Sequence, residues 1–395
     1  MDGHDQHIGR RLRQIRQARG KSLAVVAGLA GISTSYLSRL ETGERALDRR
    51  SLIVALARAL DVAPTEITSV AMVPPGELDE DGLVNDVRLA LLSVAMGEPR
   101  GKALQVSALS ARVDQIMAAQ RDCRYAAVGA ALPGLIRDLH TTLNAGRDER
   151  TVSRLLVLTH IQGTQAWLGD VGAGPDLAWQ AVSLAQQAAE RAEDPLARAV
   201  SAFGTAFGLM SAGGFDLAAA TLSAAELGTN TSEAMQVKGM LALTSSLVAA
   251  ARGDRAEQVT ALEFATDLAE RTGEGNALWF GFGPSNVGVW RMSVALEVGE
   301  HAQAAEIARM INPADLPSPT RRSAYWREYG RALARLPRQQ DAAVVALRKA
   351  EQISPARVHR HPFMRSVLAE LVAKARRDAL GRELRGMAYR AGLAV

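Results

Sequence analysis

Between residues 23 and 45 two short helical patterns meet at a glycine, and no other stretch of the 395 residues restricts the fold so tightly. Val26, Ala27 and Ala30 share the inner face of the first pattern, and Leu37 and Leu40 that of the second. Ala27 is small because the two helices must cross closely there. Gly31 stands at the break, where the first helix ends in a left-handed residue that only glycine supplies without penalty. Ile32 fills the space beneath the turn, and the Ser33 hydroxyl is placed to cap the second helix. The pattern predicts a helix-turn-helix.

The flanks complete a five-helix unit. Ile8, Leu12 and Ile15 are spaced for one buried stripe over residues 8–19. Asp48 is placed to cap a fourth helix over about 49–60, where Leu52, Leu56 and Leu60 face inward. Pro64 and Ile67 open a fifth. A helix-turn-helix lays its second helix in the major groove of DNA. Thr34, Ser35, Ser38 and Arg39 point away from the Leu37–Leu40 core and are therefore expected at base edges, with Tyr36 near the backbone or a thymine methyl. Net charge is only +4, but residues 1–70 hold eleven Lys or Arg against seven Asp or Glu. Some arginines of the first helix, Arg10 and Arg11 among them, are expected to approach phosphates.

Residues 8–67 resemble the XRE (Cro/repressor-type) helix-turn-helix family. The likeness runs from Ile8-Gly-Arg-Arg-Leu-Arg-Gln-Ile, through Ser35-Tyr-Leu-Ser-Arg-Leu-Glu-Thr-Gly-Glu-Arg, to Leu52-Ile-Val-Ala-Leu-Ala-Arg-Ala-Leu-Asp-Val-Ala-Pro-Thr-Glu-Ile. It implies a regulator that binds double-stranded operator DNA as a homodimer on an inverted repeat. It also places Arg45 on phosphate. The candidate DNA-binding set is thus Ser33, Thr34, Ser35, Tyr36, Ser38, Arg39, Arg45, Arg10 and Arg11. Leu23 departs from the family, many members of which carry a DNA-bonding glutamine there.

The rest of the chain is rich in Ala, Leu and Arg, with little β-branched alternation, which predicts an all-α protein. Over the whole chain, 41 arginines against five lysines point to a GC-rich bacterial genome. Residues 71–83 carry two prolines, two glycines and an acidic run, and are expected to link a DNA-binding domain over 1–70 to a helical domain over 84–395. In that second domain helices turn near Gly169, Gly214, Gly253, Gly299 and Pro337. The spacing predicts a degenerate tetratricopeptide-like α-solenoid with a concave face, the other reading being an irregular bundle. The architecture resembles actinobacterial XRE-type regulators with long helical C-terminal domains, and more remotely the peptide-sensing regulators of Gram-positive bacteria. That likeness implies a dimerising domain that senses a peptide or small-molecule effector.

Seven of the seventeen aromatics fall within residues 279–329. Aromatic walls with polar groups at a helix start describe a ligand pocket, for which Trp279, Phe282, Asn286, Trp290, Arg321 and Trp326 are the candidates. Packing of the joints between repeats is the competing explanation. In the peptide sensors asparagines clamp peptide backbone, and Asn276 and Asn286 are the residues placed to do so here.

No catalytic signature is found. Gly97-Glu-Pro-Arg-Gly-Lys-Ala is one residue short of a phosphate-binding loop and lacks its hydroxyl residue. The seven histidines lack metal-ligand spacing, and His359-Arg-His361 reads as a solvated turn. No cofactor and no metal are expected. A single cysteine, Cys123, fits a reducing compartment. With no signal peptide and no uninterrupted apolar stretch of about 20 residues, a soluble cytoplasmic protein without membrane contact is expected. The competing function is an interaction scaffold, in which the repeats bind a protein partner and DNA contact is secondary.

Overall fold

A computed structural model describes residues 8–68 and 80–393, and among these residues there is no strand. The protein is all-α. The head comprises α1 (Ile8–Ala18), α2 (Leu23–Leu29), α3 (Thr34–Thr42), α4 (Arg50–Leu60) and α5 (Pro64–Thr68). Leu12, Val26, Ala27, Leu37, Leu40, Leu56, Leu60 and Ile67 are all buried in one core. The chain bends by 107° between α2 and α3. Gly31 makes that bend at φ +68°, while the Ile32 amide reaches back to the Ala27 carbonyl at 2.9 Å. Ser33 Oγ accepts from the Tyr36 amide at 3.1 Å and caps α3.

Residues 71–79 of the expected linker lie outside the described residues. The remainder is not linker, because α6 (Glu80–Ala95) begins at Glu80. Pro74, Pro75 and Gly76, the strongest breakers, all precede it, and Gly82 alone costs a helix only about 1 kcal/mol.

From there helix packs on helix: α7 (Val106–Arg121), α8 (Tyr125–Asn144), then α9 (Glu149–Leu158), which runs through a π-helical segment (Thr159–Gln165) into α10 (Ala166–Asp170). Successive helices then pack in hairpins joined by short turns. They are α11 (Pro175–Ala192), α12 (Pro195–Ser211) with α13 (Phe215–Ala224), α14 (Ser232–Arg252) with α15 (Arg255–Thr272), and α16 (Pro284–Glu297) with α17 (His301–Met310). The array ends with α18 (Pro319–Ala334) and α19 (Gln340–Ile353), short α20 (Pro355–His359), and α21 (Pro362–Ala373) with α22 (Ala379–Arg390). Turns fall where small residues were noted, but the unit lengths are uneven. Helix α14 is long and apolar enough to cross a membrane by length and composition, against the sequence expectation. Within its apolar window, however, 78% is buried, as in a core helix.

The head sits on the C-terminal helices through buried charge. Asp48 does not cap α4. Its carboxylate lies 2.9 Å from Arg335 and 3.7 Å from Arg331, and its carbonyl accepts from Arg331 at 2.7 Å. The first amides of α4, Arg50 and Ser51, are instead taken by Glu297 of α16 at 3.2 and 2.9 Å. Glu370 accepts from the Ala46 amide at 2.9 Å and pairs with Arg335 and Lys374, while Ser366 accepts from the Leu47 amide at 2.8 Å. Phe363 of α21 enters the head's apolar core. Burial alone would raise the Asp48 carboxyl, but Arg335, Arg331 and His301 hold it below the usual range.

His361 is not in a solvated turn. Its Nδ1 caps α21 by accepting from the Phe363 amide at 3.2 Å, and burial beside Arg327 and Arg331 holds its pKa well below 6.5. Burial also lowers His140 to about 4 and keeps His160, its 3.0 Å neighbour, neutral; His301, half-buried beside the head, falls to about 4. Unfolded histidine titrates near 6.5, so between about pH 4 and 6.5 the unfolded chain binds more protons. Stability is therefore expected to fall as pH drops through that window, by up to about 2 kcal/mol at pH 5 for the enclosed His160 alone. Urea midpoints at pH 7 and 5 check this, and equal midpoints would contradict it.

Candidate functional site: nucleic-acid interface and cavity

On α3 a polar stripe lies opposite the buried Leu37, Leu40 and Glu41. Thr34, Ser35 and Arg39 are exposed, Ser38 is half-buried, and the Arg39 guanidinium donates to Ser35 Oγ at 3.4 Å. Positions 34 and 38, and 35 and 39, sit one turn apart on adjoining rows, so hydroxyls and a guanidinium face outward together. Gly43 closes the helix at φ +80°. Tyr36 is half-buried against the head core rather than projecting freely. Ser33 spends its hydroxyl on the cap.

The arginines sort by partner. Arg16 holds Glu41 through two bonds of 2.6 and 2.8 Å, pinning α1 to α3. Arg11 donates to the Glu66 carbonyl at 3.2 Å and Arg19 to the Asp61 carbonyl at 3.1 Å. Arg10 is exposed on α1. Arg45 is half-buried with its guanidinium 3.7 Å from Glu370, a partner some 300 positions away that local sequence could not reveal.

The second feature is a cavity of about 490 Å³ in the helical body. Trp279, Trp290 and Arg321 line it, together with Asn276. Three other candidates do not. Phe282 is fully buried beneath α14, where its ring lies so near Gly239 that a Cβ there would stand 2.1 Å away. Asn286 is fully buried with its amide nitrogen 3.5 Å from the Met240 sulfur. Trp326 packs in another cluster, with Tyr325 and Tyr329 and under the Lys349 ammonium at 4.1 Å.

Residues from elements remote in sequence complete the cavity wall: Arg121, Gln162, Phe203, Phe207 and Arg357. The signal that could have found two of them is the repeated Phe-Gly pair at 203–204 and 207–208, which sets both rings on one face of α12. Gly204 and Gly208 are open for a reason. A Cβ on them would meet the Ile161 side chain at 2.4 Å and the Trp179 ring at 2.6 Å. Leu278 and Trp279 both hold positive φ, 49° and 65°, and the π-helical segment borders the same space with Ile161, Gln162 and Gln165. Strain and π-turns of this kind gather at functional sites. Among the described residues, no group of three His, Cys, Asp or Glu side chains is placed to hold a metal ion.

Residues 7–69 match the family model of a helix-turn-helix domain. The head is therefore a helix-turn-helix DNA-binding domain, the general mark of a DNA-binding regulator. No curated protein and no solved structure gives a significant match to the chain.

Proposed function

We propose that the protein is a sequence-specific transcription regulator of XRE type. It binds an inverted-repeat operator as a cytoplasmic homodimer, and its tetratricopeptide-like body dimerises and senses a peptide or small-molecule signal. One observation carries the reading: on a helix pinned by a part-buried Arg16–Glu41 pair, Thr34, Ser35 and Arg39 are exposed with Ser38 beside them, on the face opposite the buried Leu37 and Leu40. Such a stripe serves base readout and has no packing role.

Arg39→Ala is expected to cost about 1–3 kcal/mol of specific operator binding and to relax preference at one base pair. Arg45→Ala acts differently. Its guanidinium is shared between Glu370 in the docked head and phosphate in the complex, so its loss weakens all sequences about equally and flattens the salt dependence. Titrations of both variants against matched and scrambled duplexes at two salt concentrations separate the two roles. A loss by Arg39→Ala that is equal on matched and scrambled DNA would contradict base readout.

A further inference from the structure

The cavity has a charge imbalance at one end. Arg121, Arg321 and Arg357 converge there with a single carboxylate, Asp170, which Arg357 occupies at 2.9 Å. Arg121 donates to the Pro317 carbonyl at 2.9 Å. Arg321 donates one bond, to the Phe280 carbonyl at 2.5 Å, and among the described residues no carboxylate pairs with it. Burial, with Arg357 and Arg121 close by, lowers its pKa to about 10, so it stays charged at neutral pH. A half-buried guanidinium with most of its donors unspent is costly unless something anionic completes it.

Two further polar groups call for a ligand. Gln162 Nε2, a donor, and Gln120 Oε1, an acceptor, are buried in the wall and have no hydrogen-bond partner among the described residues. The Gln162 donor suits an anion as Arg321 does, whereas Gln120, whose Nε2 is fixed on Asp170 at 2.8 Å, calls for a donor elsewhere on the ligand. The lining also holds aromatic pairs: Phe203 meets Phe280 edge-on at 4.8 Å, and Phe207 meets Trp290 edge-on at 6.1 Å. The volume suits a molecule of drug size.

We propose that this cavity is the receptor site for a small organic carboxylate with a flat apolar body, the carboxylate held by Arg321 and the body against the Phe203–Phe280 and Phe207–Trp290 pairs. The inference rests on the signal-sensing reading above and names its ligand class. A carboxylate matches the planar fork of an arginine, and rings offer a flat body both edge and face contacts. The route to DNA is a single rod. Arg321 opens α18, and Arg331, which grips Asp48 of the head, lies ten residues along the same helix, about 15 Å at 1.5 Å per residue.

The test is calorimetry on the full-length protein, without DNA, using a panel of aryl and alkyl carboxylates, each paired with its primary amide, and a pool of short peptides. At least one carboxylate is expected to bind one per chain, about tenfold or more tighter than its amide. That preference should vanish in Arg321→Gln and partly return in Arg321→Lys. Ala178→Trp, which fills the cavity without touching charge, should abolish binding, with all variants checked for an unchanged melting transition. Equal binding of acids and amides, binding by peptides alone, or no binding from the panel would each overturn the proposal. Because operator binding is measured separately, ligand loss with intact operator selection strikes this inference alone. Ligand binding without any operator strikes the regulator reading.

Discussion

Asp48→Ala is expected to destabilise the protein by about 3–5 kcal/mol, read as a fall in the urea midpoint at pH 7. Asp48 is 4% exposed and lies between two arginines that are themselves buried, so its removal leaves charge in the interface with no route to water. Arg331 keeps Glu328 and Arg335 keeps Glu370, which sets the effect at the lower end of that range. Asp48→Asn should cost less, since the amide still accepts from Arg335 at the same site. A shift under about 0.5 kcal/mol, the size of an ordinary surface change, would mean that the head does not dock on α18 as described.

Leu37→Ala carries the other large effect. Leu37 is fully enclosed on the inner face of α3, so truncation removes apolar contact and leaves a cavity, at about 2–5 kcal/mol. The helix that presents Ser35 and Arg39 would lose its anchor, and operator affinity should fall with stability. Unaltered stability, measured by thermal or urea unfolding, would contradict the head packing.

The head was legible because its contacts are local. Gly31, the Ser33 cap and the apolar stripes of α1 to α5 lie within a few turns of one another, and spacing alone brings them together. Asp48 was misread for the opposite reason. Its position before α4 suits a cap, but its partners are Arg331 and Arg335 of α18, beyond any local pattern, and Glu297 takes the capping role. The aromatic cluster divided on periodicity. Trp279 and Trp290 reach the cavity, while Trp326, five residues after Arg321 on α18, is turned to another face. Phe282 is drawn away into the space left by Gly239. Uneven repeats hide which face is inner, so the wall contributed by α7, the π-helical segment and α12 emerged only from the fold.

The central claim is sequence-specific DNA binding, and its most direct test is selection of genome fragments by purified full-length protein, followed by footprinting at physiological salt. The account predicts one recurring inverted repeat, with half-sites about one helical turn apart or a multiple of it, and loss of its enrichment in Arg39→Ala. Uniform recovery of fragments, with no motif and no change in the variant, would contradict it.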